Sequence, residues 1–213
     1  MRICDTSFRK LVHKLVFILF EPGNLELEQW LSGTAMPVDD SVNGALCYGY
    51  VDHEAGFTFE VLCLGHCDPG SFVLDLLPGD DNLSEKLRKG LVDGSYVYAV
   101  PEIPEDDYGD KLELVTEGYV DSDAIEQVRA LKDLDDNRHL DYPDDIMVQL
   151  KAQGEGSEDC ELCWVRCEGA GEDGTFSGIL QDEPLFHKTV HKGERVAFRL
   201  VQSPEGPVCV ADV

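Results

Sequence analysis

The chain has 213 residues, with 17 Lys and Arg against 43 Asp and Glu, a net charge of −26 and a pI near 4.3. That imbalance argues against direct nucleic-acid binding, which needs Lys and Arg to displace counterions from phosphate, and it favours a protein partner of basic charge. The length suits one large domain or two small ones, and a change of texture from Asp145 onward favours two.

The first apolar run, Leu15 to Phe20, is bounded by Lys14 and Glu21. It is too short to span a membrane and no small-residue cleavage pattern follows, so a cytoplasmic protein without membrane association is expected. The eight cysteines are then expected to remain thiols. "KLVFILFEPG" reads as a buried strand stopped by Pro22 and Gly23, and "NLELEQWLSG" as a short helix capped by Asn24 and ended by Gly33. "NGALCYGYVDHEAGFTFEVLCLG" reads as two strands joined around His53 to Gly56. Next come a helix over "DDNLSEKLRKG", with Leu83 and Leu87 four apart, and a strand in "SYVYAVPEIP". A further helix in "DSDAIEQVRAL" has Ile125, Val128 and Leu131 as its apolar stripe.

After the acidic run "DLDDNRHLDYPDD" the pattern becomes all-β, with five candidate strands in "IMVQLKA", "ELCWVRC", "TFSGILQ", "RVAFRLV" and "PVCVADV". The fold class expected is therefore α+β: an N-terminal mixed α/β segment over 1–132, an acidic linker over 133–144, and a small all-β, partly closed barrel-like domain over 145–213.

Four motifs invite a metal or catalytic reading. "CELCWVRC" has zinc-knuckle spacing at Cys160 and Cys163, and "CLGHC" supplies Cys63, His66 and Cys67. The first cluster, however, runs into a strand pattern with no glycine or proline to form a knuckle. Alternation puts Cys163, Val165 and Cys167 on one face and Leu162, Trp164 and Arg166 on the other, so packed thiols are expected and no metal. Trp164 is expected to anchor the core of the C-terminal sheet. The linker matches a calcium loop at Asp133, Asp135, Asn137 and Asp144, but Arg138 stands where the turn wants glycine and no helix follows. His187 and His191 lie four apart without the Glu of a zinc-protease helix. No cofactor motif and no catalytic residue stands out.

The C-terminal pattern resembles an uncharacterised family of small bacterial domains, some of whose relatives are linked to immunity proteins of polymorphic toxin systems. The shared residues are Trp164 and Val165, then Phe176, Gly178 and Leu180, the pair Glu183 and Pro184, and Gly193, Glu194 and Val196. They cover about a third of the chain, and the tryptophan that often ends the family pattern is missing here. The resemblance implies a non-catalytic binding or protective role, of immunity or regulatory type. Asp133, Asp135, Asp136, Asp141 and Asp144 are then the expected partner-binding acids. Two alternatives remain open: a thiol- or zinc-dependent enzyme using Cys63, Cys67, Cys160 and Cys163, and an acidic mimic of nucleic acid.

Overall fold

The computed structural model describes residues 1–68, 70, 73–77, 83–100, 108–151, 160–204 and 206–213. The chain divides into two compact units, Met1–Val120 and Asp121–Val213. Among the described residues, no helix is long and apolar enough to cross a membrane.

The first unit is a six-stranded antiparallel sheet. Its strands are β1 (Lys14–Leu19), β2 (Gly44–Asp52), β3 (Gly56–Asp68), β4 (Val73–Leu76), β5 (Glu85–Arg88) and β6 (Tyr96–Ala99). They run in the order β4-β3-β2-β1-β6, with β5 also paired to β3. The central hairpin follows from its turn chemistry. Asp52 Oδ1 accepts the backbone N–H groups of Glu54 and Ala55 at 2.9 and 3.1 Å, and Gly56 takes a φ of 82° that side chains resist. Helix α1 (Leu25–Gly33) starts where Asn24 accepts the Leu27 N–H. One turn of helix, α2 (Lys89–Val92), precedes β6, and α3 (Gly109–Gly118) packs Val115 beside Tyr48 and Tyr50 of β2.

One expectation for this unit fails, and one helix was not anticipated. The stretch read as a helix around Leu83 and Leu87 contains β5, whose Leu87 is fully buried opposite Phe59 of β3, with only α2 helical after it. Four-residue spacing of two leucines fits a helix face, but sheet pairing against β3 outweighs so weak a propensity. Helix α3 was not legible at all, because "KLELV" alternates like a strand.

The second unit is a closed five-stranded barrel, a closure the expectation of a partly closed sheet understated. Strands β7 (Asp145–Lys151), β8 (Cys160–Ala170), β9 (Thr175–Leu180), β10 (Arg195–Ser203) and β11 (Gly206–Asp212) pair in sequence, and β11 returns to β7. Successive hairpins make each neighbouring pair antiparallel. With an odd number of strands, the closing pair β11·β7 must be parallel, as observed. The interior takes one face of every strand: Ile146, Val148 and Leu150, then Cys163, Val165 and Cys167, then Phe176, Leu180, Val196, Phe198, Cys209 and Ala211. Gly178 is required by a close approach, since a Cβ there would lie 2.1 Å from the Arg166 carbonyl oxygen on β8.

Helix α4 (Asp123–Ala130), capped by Ser122, belongs to this unit and packs on β8. The sequence-based division placed it with the N-terminal segment. Of its expected stripe only Val128 is fully buried, while Leu131 is exposed and Arg129 is sunk beside Val128. Residues 133–144 also pack here. A 3-10 turn over Lys132–Asn137 buries Leu134, and Asn137 Nδ2 donates to the Pro207 carbonyl at 3.1 Å.

Candidate functional site

Residues 181–194, between β9 and β10, contain no helix or strand, yet carboxylates fix their backbone. Gln181 N–H donates to the Trp164 carbonyl at 2.8 Å, and Asp182 accepts the Trp164 N–H at 2.7 Å, so the loop starts as an extension of β8. Glu161 then gathers three successive N–H groups: Leu185 at 2.6 Å, Phe186 at 2.9 Å and His187 at 3.4 Å. Glu183 accepts His191 Nδ1 and the Lys192 N–H, both at 2.9 Å, while Glu194 accepts the His191 N–H at 2.9 Å. Hydrogen bonds between Leu180 and Gly193 or Glu194 close the loop at its base. Gly193, at a φ of 87°, turns the chain back into β10.

Beside the exposed Lys188 and Lys192, this frame presents two large apolar side chains. Leu185 and Phe186 are 72% and 75% exposed, whereas Pro184 and His187 on either side are buried. The next exposed hydrophobic on β8 is Leu162. Ordering a backbone that displays a phenyl ring to water gains nothing for folding, since the ring's burial would be worth about 2–3 kcal/mol and is not realised.

The charges of the loop are tuned by these contacts. Burial alone would raise the Glu161 carboxyl, but the N–H groups of Leu185, Phe186 and His187 hold it below the ordinary carboxylate range. Glu183 is lowered by the His191 imidazole and by the Lys192 N–H, and His191 is raised in return by Glu183.

The family-pattern residues sort by role. Val165, Phe176, Gly178, Leu180 and Val196 build the barrel interior, and Glu183, Pro184 and Gly193 shape the loop. Trp164 contradicts its expectation. It is half-buried on the outer face, opposite Met147 in register, with its ring 4.8 Å from that of His139. Alternation tells which residues share a face, not which face is inside, and a five-stranded barrel has room for Cys163 and Cys167 rather than an indole.

Other predicted residues are placed apart. Cys160 is exposed and Cys163 points inward, so "CELC" does not converge on one point. Burial raises the thiols of Cys163 and Cys167 to about 11 and that of Cys209 to about 12. Cys63 and Cys67 are buried within one apolar cluster of the first unit, while His66 Nδ1 pairs with the Ser41 carbonyl oxygen. In the acidic run, Asp133 and Asp136 face solvent and Asp141 is half-buried. Asp135 pairs with Arg138 at 3.2 Å.

Asp144 was expected to meet a partner, and it is instead 2% exposed and locked to Arg129 by two hydrogen bonds of 2.8 and 2.7 Å. Arg129 also pairs with Asp121 and Glu126. Although burial opposes its charge, Asp144 and Asp121 hold the guanidinium firmly ionised. Asp135, Asn137 and Asp144 are thus drawn to separate partners, Arg138, the Pro207 carbonyl and Arg129, rather than to one cation. The Glu161 clamp was missed in sequence because its donors lie 24 to 26 positions away.

Comparison with known proteins finds no matching family model, no matching curated protein and no matching solved structure.

Proposed function

We propose that this is a non-catalytic protein-binding protein, of immunity or regulatory type, that grips a basic partner in the cytoplasm. The observation that carries the reading is the stapled loop: Glu161, Glu183 and Glu194 spend their charges on backbone N–H groups and His191, and the result is a fixed platform for Leu185 and Phe186. A pre-ordered apolar anchor is what binding surfaces use as a hot spot, because its ordering cost is met before the partner arrives. The solvent-facing carboxylates Asp133 and Asp136 and the net charge of −26 supply long-range attraction for a basic partner.

The test is association of the full chain with the products of the genes flanking its own, followed as on- and off-rates across a salt series. On this reading one of them binds with an on-rate that falls as salt rises. Phe186→Ser then raises the off-rate about 30-fold, the equivalent of a hot-spot loss of about 2 kcal/mol, without lowering the melting temperature. Binding that ignores both Phe186→Ser and Leu185→Ser removes the loop as the contact face, and no association with any neighbour overturns the reading.

A further inference from the structure

The second unit's loop leaves unexplained a basic stretch near the start of the chain. Between Asp5 and Glu21 the sequence holds Arg9, Lys10, His13 and Lys14 and no acid, in a molecule of net charge −26. In the first unit this stretch forms the entry to β1, and its backbone is pinned in an unusual way. His13 has a φ of 54°, the only non-glycine residue with positive φ among those described. That conformation is disfavoured for a side chain with a Cβ and persists only where the surroundings impose it. They do so here: the His13 N–H donates to the Gly49 carbonyl at 2.7 Å, and the Tyr48 hydroxyl hydrogen-bonds His13 Nδ1 at 3.1 Å. Gly49 is needed for that approach, since a Cβ would lie 2.3 Å from the Leu11 carbonyl oxygen.

The pinned turn walls a cavity of about 410 Å3, within the range of small-molecule sites. Its polar rim is Lys10, His13, Lys14 and the Tyr48 ring, and its apolar floor is Leu15, Val100 and Leu112. Both lysines are exposed, so their ammonium groups are available at the mouth. We infer that this cavity binds a small organic carboxylate: the hydrocarbon part rests on the leucine and valine floor and the carboxylate meets Lys10 and Lys14 at the rim. A cationic rim over an apolar floor selects an acid over its neutral amide, because only the acid gains the charge-assisted contacts.

The full-length protein is titrated calorimetrically with hexanoate, benzoate and phenylacetate, each against its amide. At least one acid is expected to bind about tenfold more tightly than its amide, a difference of about 1.4 kcal/mol. The double variant Lys10→Ala, Lys14→Ala weakens that acid about tenfold, leaves the amide unchanged and, because both side chains are exposed, melts like the parent protein. Leu112→Asn at the floor weakens acid and amide alike. No heat of binding from any of the three acids at millimolar concentration, equal affinity of acid and amide, or an acid affinity untouched by loss of both lysines overturns the inference.

Discussion

The acidic run at residues 133–144 and the loop at residues 181–194 both lack a regular pattern in sequence, yet the carboxylates that hold them are used in opposite ways. In the first, Asp144 turns inward to Arg129 and Asp135 pairs with Arg138, so side chain meets side chain and the segment becomes part of the unit's interior. In the second, Glu161, Glu183 and Glu194 accept mainly backbone N–H groups and leave apolar side chains outside. The difference teaches that a net charge of −26 counts acids without counting how they are occupied. On the proposed function, the residues best placed to bind a partner are then not the most acidic ones.

The sharpest way to break this contrast is to remove the buried cation. Arg129→Met leaves Asp144 and Asp121 without their main partner at 2% and 12% side-chain exposure. A loss of about 3–5 kcal/mol is expected, because stranding one side of a buried ion pair costs far more than the pair contributes. Thermal unfolding followed by Trp164 emission in a Trp30→Phe background measures it. A change within about 0.5 kcal/mol, the range of ordinary surface substitutions, would return the acidic run to the surface role first expected of it.

Gly178→Ala acts next, through the barrel that carries both segments. The added methyl meets the Arg166 carbonyl and the Val165 side chain, so β8 and β9 must part, at a cost of about 1–3 kcal/mol. Denaturant unfolding gives the value, and an unchanged midpoint would mean that the strand pair yields without strain.

The loop has a smaller, pH-dependent signature. Glu183 is lowered from 4.5 and His191 raised from 6.5 by their contact. Glu183 therefore contributes above its unfolded value and loses its contribution as pH falls through its lowered one. His191 contributes below its unfolded value and loses its contribution as pH rises through its raised one. Both are in force between about pH 4.5 and 6.5. An NMR titration is expected to place the His191 midpoint above 6.5 and to return it to the ordinary value in Glu183→Gln. Equal midpoints in the two proteins would show that the pair does not persist in solution.

Much of the second unit was legible, and the reason is local. All five strands were marked by alternation and by Gly, Asp and Pro turns, and in the first unit Asn24 announced its helix as a cap. Closure was not legible, since the β11·β7 pairing joins residues about sixty positions apart. Nor was the inward face of β8: the same alternation describes Trp164 inside or outside, and only the width of the barrel decides. The site escaped for a similar reason. Glu183, Pro184 and Gly193 stood out through the family resemblance, but Glu161 looks like one more strand acid until β8 and the loop lie side by side. In the first unit, Leu83 and Leu87 satisfied a helical spacing that pairing with β3 overruled.

Carboxylates hold the loop in one conformation, and amide hydrogen exchange of the full chain tests this most directly. In the parent protein the Leu185 and Phe186 amides, both bonded to Glu161, are expected to exchange slowly although their side chains stand in water. Glu161→Ala should speed them about tenfold or more while the barrel amides of Val165 and Phe198 keep their protection. Fast exchange at Leu185 and Phe186 in the parent protein, or rates that Glu161→Ala leaves unchanged, would contradict it.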